Sequence, residues 1–440
     1  MNLGKDDSFR VPVVLLLLAV AAGAVLLSYL AFSEALSADL LAVWAAGRNF
    51  AEGNLDQIYP VSTGIFTMLP PDGWSAQFLA DGYEESIYPF IYPPLWAVVG
   101  SVLYRLADFS TIVQVASFLN PLMLVATLWI ALRNSVPAAW MPVCFLLGLG
   151  LLATGLSARI ALEQNQPQIL VAFLTVLAID RQRNCAPLGA GAALALAASL
   201  KIYPALYALF WLARGQNRAA AAFALAGGAL GLTSLLLGGI QLHLEFLQQL
   251  SDISGTALVT YFTWSVDPTV AQLFMADRLD SVLELRNVAA DEVATGWWIL
   301  KKSALWRGLD LALLLAVLAV LVFVARRTRS ILFWPVAFTA LSLVSPLSWG
   351  YHYLAPLVFA PALLVHLGMR RGLVALTLVF VPQMTFLLDF DVVMQFWKYV
   401  ALPAGTASML CYMAFLVVAM RREDRESLVS LPLRPGTRQL

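Results

Sequence analysis

Residues 93–107 read PPLWAVVGSVLYRLA. The run is apolar but only fifteen residues long, and a helix needs roughly 20 to cross a membrane. Whether it crosses decides the sidedness of everything after it. Lys and Arg gather on the cytoplasmic side of membrane proteins. Here they cluster at Lys5/Arg10, Arg133, Arg181/Arg183, Arg214/Arg218, Arg326/Arg327/Arg329, Arg370/Arg371 and Arg421/Arg422/Arg425. If 94–107 crosses, the clusters after it land on opposite sides. If it lies on the surface, or dips in and returns, every cluster falls on one side. The sequence therefore predicts a juxtamembrane helix at 94–107.

The composition sets the class. The chain has 440 residues, 60% hydrophobic and 12% charged, with mean hydropathy +0.79. A soluble domain sits nearer half apolar and a quarter charged, so a polytopic all-α membrane protein is expected. Net charge is zero, which implies no nucleic-acid partner. Cys144, Cys185 and Cys411 form neither a disulfide framework nor a zinc site. The run 11–32 is too long for a signal-peptide core and predicts a retained anchor. No internal repeat or linker interrupts the chain.

About twelve transmembrane helices are expected, near 11–32, 111–132, 138–157, 167–180, 186–200, 202–213, 219–240, 306–325, 330–345, 350–368, 372–388 and 397–420. Residues 1–420 then form one transmembrane domain and 421–440 a polar, disordered cytoplasmic tail. Both termini are cytoplasmic in this reading, and two long loops, 33–110 and 241–305, lie outside. The outer face gathers SADLLAVW, YPFIYPPLW, EQNQPQ, SLKIYP, SPLSWGYHY and LDFDVV. The inner face keeps short basic connectors and the tail, so function is expected on the outer face of a bacterial inner membrane.

Each unusual residue has two readings. Lys201 interrupts an apolar run, and Pro204 limits helix continuity there. It is either a lysine snorkelling to the interface or a cation for an anionic head group. His352 stands in SPLSWGYHY among Trp349, Tyr351 and Tyr353. An aromatic belt explains the rings but not the histidine, which is a structural residue, a phosphate donor or a base. Glu163, Gln164, Asn165, Gln166 and Gln168 line the mouth of a span and suit sugar hydroxyls, or form a polar helix start. The aromatics from Tyr59 to Tyr104, Tyr92 among them, flank a lipid entrance or form a belt. Asp39 follows the first span and opens a helix at 39–52. It caps that helix, or it is a reactive carboxylate, or both.

In this order the segments resemble glycosyltransferase family 87, the membrane mannosyltransferases that include polyprenol-phosphate-mannose-dependent enzymes of glycolipid synthesis. The resemblance runs from about residue 30 to 370. Its most specific parts are the lysine segment AGAALALAASLKIYP and the late SPLSWGYHY; Tyr-Pro-Pro is weaker. The family's Gly-Gln-x-Asn pattern stands here as Asn165-Gln166-Pro167-Gln168, and its Asn-x-Ser in the second long loop as WSVDPTVAQLF. The resemblance implies a GT-C-type fold with an outer-leaflet cavity and a lipid-linked sugar donor. Asp39 matches the family's catalytic carboxylate, and Lys201 and His352 its lysine and late histidine.

The expected reaction moves a hexose, mannose by the resemblance, from a polyprenyl-phosphate donor to a glycolipid or glycan acceptor, with inversion. Asp39 is the expected base, and Lys201 and His352 the donor-phosphate contacts. Tyr92, Asn165, Gln166, Gln168, Tyr203, Trp349 and Tyr351 are the expected substrate contacts, among membrane lipids. No cofactor is implied. No metal site is expected, since Asp389 and Asp391 diverge at i and i+2 on a helix. Three alternatives remain: a transporter or flippase, which broken spans and a midplane lysine would suit, another lipid-linked transferase such as a ligase or acyltransferase, and a non-enzymatic assembly subunit of an envelope complex.

Overall fold

The computed structural model describes residues 7–83, 87–283, 295–384 and 391–429. The chain opens with α1 (Asp7–Phe32). A short turn leads into α2 (Ala38–Glu52), which ends where Gly53, at φ 82°, turns its N–H back to Asn49 and Phe50. The first loop then carries α3 (Gly73–Ala80) and α4 (Leu95–Leu106). At twelve residues α4 reaches about 18 Å, short of a bilayer core. It packs against α2. Gly47 and Gly100 meet backbone to backbone there: a β-carbon at Gly47 would overlap Gly100, and one at Gly100 would overlap the carbonyl of Val43.

α5 (Phe109–Ser135) is a full-length apolar helix capped by Asp108, whose carboxylate accepts from the N–H of Thr111. Shorter helices follow: α6 (Met141–Thr154), α7 (Leu156–Glu163), α8 (Gln168–Arg183), α9 (Pro187–Leu200) and α10 (Tyr207–Ala213). α11 (Asn217–Ser254) is long and broken at Gly239, whose φ of 74° and ψ of 165° no helix contains.

The second loop holds α12 (Val266–Phe274) and a small antiparallel sheet. Its strands are β1 (Thr256–Val259), β2 (Asp280–Leu283) and β3 (Thr295–Lys301), with β3 in the middle. The all-α expectation contained no strands here. The run TGWWILK lacks the apolar–polar alternation that marks a half-buried strand.

The chain closes with α13 (Ala304–Ala325), α14 (Phe333–Leu343), α15 (Leu354–Leu357), α16 (Leu363–Leu367), α17 (Met369–Phe380) and α18 (Asp391–Val429). Residues 421–429 continue α18, and there Asp424 and Glu423 accept from Thr328 and Ser330. Residues 430–440, Asp389 and part of the second loop lie outside the described residues.

Helix overlaps each of the twelve expected spans among the described residues, with 385–388 of the eleventh lying outside them, but several of these helices are too short to cross a membrane singly. Five helices are long and apolar enough to cross a membrane by themselves: Pro12–Phe32, Phe109–Ser135, Asn217–Ser254, Ala304–Ala325 and Val400–Arg425. A sixth arises if Gly350–Leu357 and Ala360–Leu367, bent by 47°, form one broken span. The remaining segments stop at prolines and glycines, among them Pro167, Pro204 and Gly368. The protein is thus a multi-pass, mainly helical membrane protein. One apolar core joins α5, α8, α9 and the helices from α14 onward. A second, rich in aromatics, lies beneath the first loop around Trp74, Phe90 and Tyr92.

Candidate active site

Asp39 lies in the first turn of α2. The N-cap is Ser37, held in the left-handed region at φ 54° and ψ 47°. That conformation is unfavourable for a residue with a β-carbon, so something must hold it. Asn165, itself at φ 44°, does so. Its Nδ2 donates to Ser37 Oγ and to Ser117 Oγ, each at 2.9 Å, and its Oδ1 accepts from Asn120 at 2.8 Å. Asn165 is 2% exposed with both ends of its amide engaged. It therefore positions the turn that carries Asp39.

The next residue reaches the carboxylate. Gln166 Nε2 donates to Asp39 Oδ2 at 2.7 Å, which is the carboxylate's single hydrogen bond among the described residues. Gln166 Oε1 accepts from Tyr92 Oη at 2.8 Å and from the N–H of Gln168 at 3.3 Å. Those two donors fix which end of the amide faces Asp39. Tyr92 is in turn held by the aromatic core of the first loop, and its carbonyl accepts from Tyr59 Oη at 2.7 Å.

Lys201 follows the last residue of α9. Its N–H bonds Ala197, and the chain then turns extended into the Pro204 break. α4 braces this end, with Trp96 Nε1 donating to the carbonyl of Ser199 at 2.6 Å. Lys201 Nζ lies 3.2 Å from His352 Nε2. It also sits 5.6 Å from the ring centre of Tyr92 and 5.3 Å from that of Tyr351, within cation–π range. No carboxylate forms an ion pair with it among the described residues.

His352 is held by the second loop. Trp264 donates its N–H to the carbonyl of Ser348 at 2.7 Å, and Gly350 donates to that of Phe262 at 2.8 Å. Any side chain at Gly350 would strike the Phe262 ring. Tyr203 completes the circuit. Its ring centre lies 5.8 Å from that of His352, and its hydroxyl accepts from Gln168 Nε2 at 2.6 Å. Gln168 Oε1 is buried and has no hydrogen-bond partner among the described residues. Trp349 stacks on Tyr351 with centroids 6.1 Å apart.

Nine of the ten site residues read from the sequence thus converge, and Asn165 stands behind them. Asp39, Lys201, His352, Tyr203 and Trp349 are half-buried, whereas Tyr92, Gln166, Gln168 and Tyr351 are buried. The half-buried groups are thus backed by buried, hydrogen-bonded ones. Sequence reasoning missed Ser37, Ser117 and Asn120. Asn120, a polar residue inside the apolar run FLNPLML, carried a legible signal.

Burial pushes Asp39 up to about 6, with the charge of Lys201 and the Gln166 hydrogen bond pulling the other way. Lys201 moves down for the same reason, and Asp39 opposes that shift. Each group thus keeps its charge partly on account of the other. Beside Tyr92 and Asn165 opens a mainly apolar cavity of about 420 Å³, lined also by Leu40, Trp96, Leu170 and Leu200.

No curated protein matches the chain. The family model of glycosyltransferase family 87 matches residues 90–346, more than half of the chain. That span takes in Tyr92, Gln166, Lys201 and the helices that present the last two, while His352 falls just beyond its end and Asp39 lies well before its start. The chain belongs to glycosyltransferase family 87 and is a membrane glycosyltransferase.

Proposed function

We propose that this protein transfers a hexose, mannose by family resemblance, from a polyprenyl-phosphate donor to a hydroxyl of a glycolipid or glycan, with inversion. One observation carries the reading. A carboxylate with a single hydrogen bond and a lysine with no ion-paired acid face one half-buried site. Asp39 takes the proton from the acceptor hydroxyl as that oxygen forms its bond to the anomeric carbon. The bond from that carbon to the phosphate oxygen breaks, and the electron pair leaves with the lipid phosphate. Lys201 and His352 hold the phosphate and the charge it gains. The leaving group is already a weak base, so no second carboxylate need protonate it, unlike glycoside hydrolysis. A base working near neutral pH benefits from a raised carboxylate value, which agrees with the shift at Asp39. Gln168 Oε1 offers an acceptor to a sugar hydroxyl. The apolar cavity beside Tyr92 suits the first isoprene units of the donor.

The same proposal has the chain cross a bacterial inner membrane about twelve times. Both termini are cytoplasmic, and the site faces outward at head-group level. Single cysteines at Asn184 and Val61, both exposed, should label from opposite sides in a background lacking the three native cysteines. Labelling of both from outside would overturn this topology. The reaction is tested by incubating purified protein with synthetic polyprenyl-phosphate mannose and candidate acceptors, with mass spectrometry of the lipid products. Release of polyprenyl phosphate with a mannosylated acceptor is expected. Sugar retained on the lipid, with movement of the intact donor across proteoliposomes, would point to a flippase instead.

A further inference from the structure

A cavity of about 480 Å³ lies between three connectors at the far end of α8 from the Asp39 network. Gln168, in that network, and Arg183, lining this cavity, open and close the helix, so they stand about 22 Å apart along it. Arg183, Arg214, Arg326 and Arg329 line the cavity, and among the described residues no acid does. Asp424 and Glu423 lie nearby, accepting from the hydroxyls of Thr328 and Ser330 at 2.7 and 2.5 Å, and the charge of Asp424 also acts on Arg214, so two acids stand behind the four arginines.

A preference for cytoplasmic arginine explains why such residues collect on this face. It does not explain how Arg214 is held. Its guanidinium lies 4.4 Å from the Phe333 ring centre and 5.4 Å from that of Trp334, and its Nε donates to the carbonyl of Ala325 at 3.3 Å. Its Nη2 is buried with no partner. Gln216 Oε1, lining the same cavity, is also buried and unpartnered. An unmet donor on a guanidinium and an unmet carbonyl acceptor are both unfavourable in a folded protein. A single ligand with an anionic oxygen and a nearby hydroxyl or ammonium would satisfy the two together. The two rings hold the guanidinium in place, and its planar fork has the donor geometry suited to phosphate.

We propose that this cavity binds a phosphate-bearing ligand, with Arg214 Nη2 as its anchoring donor, Gln216 Oε1 as the acceptor for a neighbouring hydroxyl or ammonium, and Arg183, Arg326 and Arg329 supplying charge. The phosphate comes either from an anionic lipid head group, since basic pockets at the cytoplasmic leaflet suit these, or from a free phosphate compound. The site is separate from the transfer site and does not depend on the reaction proposed there.

The experiment uses delipidated full-length protein in detergent, with native mass spectrometry and thermal shift as readouts. The probes are inorganic phosphate, phosphatidylglycerol, and diacylglycerol as the phosphate-free control. Saturable binding of phosphatidylglycerol, of phosphate or of both is expected, with diacylglycerol much weaker. Arg214→Gln should weaken that binding about tenfold or more. Arg329→Gln, an exposed change that spares the fold, should weaken it to a lesser degree. Arg327→Gln should leave it unchanged, because Arg327 is stacked 4.0 Å from the Phe323 ring centre and lies outside the cavity. Binding of phosphatidylglycerol alone assigns the source as lipid, and binding of phosphate assigns it as a soluble compound. The site is overturned if neither probe binds saturably, or if Arg327→Gln weakens binding as much as Arg329→Gln.

Discussion

α8 carries a polar centre at each end, and the two are built on opposite plans. At its far end Asp180 has a fully buried carboxylate. It accepts from Arg133 at 2.5 Å, Arg181 at 2.7 Å, Asn134 at 2.9 Å and Asn184 at 3.1 Å. At the near end Asp39 accepts one amide hydrogen. The cations repeat the contrast. Lys302 is buried and bonded to Asp267 at 2.6 Å and Asp310 at 2.9 Å. Lys201 has an imidazole and two ring faces. A charge surrounded by its complement has nothing left to offer a substrate. A charge held in place but short of partners does, and the fold supports that shortage through buried neutral groups such as Gln166 and Asn165.

The contrast is broken most directly by removing each carboxylate's charge. Asp39→Asn should fold, bind donor and transfer at least ~100-fold more slowly, since base catalysis is worth about 10²–10⁴-fold. The folded value of Asp39 lies above its unfolded one, so this group favours the fold at low pH and loses that contribution as pH rises through about 6. Its neutral replacement should therefore cost no thermal stability at pH 7. Asp180→Asn should do the reverse. It strands two arginines and lowers the melting temperature, while transfer per folded molecule persists. Normal turnover in Asp39→Asn would make it a first-turn acid with no chemical role.

The lysines give the next largest effect. Lys302→Met leaves Asp267 and Asp310 without their cation, and breaking a buried pair typically costs about 3–5 kcal/mol. Lys201→Met strands no ion-paired acid, so stability should hold while turnover falls roughly 10²-fold, as when an oxyanion donor is removed. Lys201→Arg should keep part of it. The pH profile sharpens this result. Transfer should rise with pH through about 6 as Asp39 ionises. Lys201 lowers the Asp39 value, so its loss should move that rise to higher pH. An unmoved rise would mean that the two charges do not meet in the working enzyme.

His352→Ala should cost less than either charge, about tenfold, because a neutral imidazole contributes one hydrogen bond to an anion. His352→Gln should recover part of the loss through its amide donor. An alanine variant at full rate would return His352 to a packing role beside Lys201 and Tyr203.

The helices and the site were legible in the sequence for one reason: polar residues in an apolar chain stand out. Asp39, Gln166, Lys201 and His352 each interrupt or bound a greasy run. Helix lengths were less legible, because proline and glycine breaks cut an expected span such as 350–368 into the pieces α15 and α16, whose membrane depth no composition encodes. The pairing of groups was not legible at all. Neighbouring residues Asn165 and Gln166 looked like equal sugar contacts, but one step along the chain turns Asn165 toward Ser37 and Ser117 and Gln166 toward Asp39. The anchoring of His352 depends on Phe262 and Trp264, about ninety residues earlier, and no local pattern announces it.

Tyr92 provides the smallest and finest test, because it does two separable things. Its hydroxyl donates to Gln166 Oε1, and its ring faces Lys201. Tyr92→Phe removes the first and keeps the second. Gln166 then retains the Gln168 N–H as a donor at 3.3 Å, so its amide should still point nitrogen toward Asp39, though less firmly. One neutral hydrogen bond is worth about 0.5–1.5 kcal/mol, so transfer should fall roughly 2- to 12-fold. Tyr92→Leu loses the ring as well and should fall further, with weaker donor binding, because Lys201 is then less well held. If Tyr92→Phe and Tyr92→Leu proved equally impaired, the ring would contribute nothing to Lys201. If Tyr92→Phe matched Asp39→Asn, the hydroxyl would itself touch the reacting groups, and the division into buried supports and half-buried working groups would fail at Tyr92.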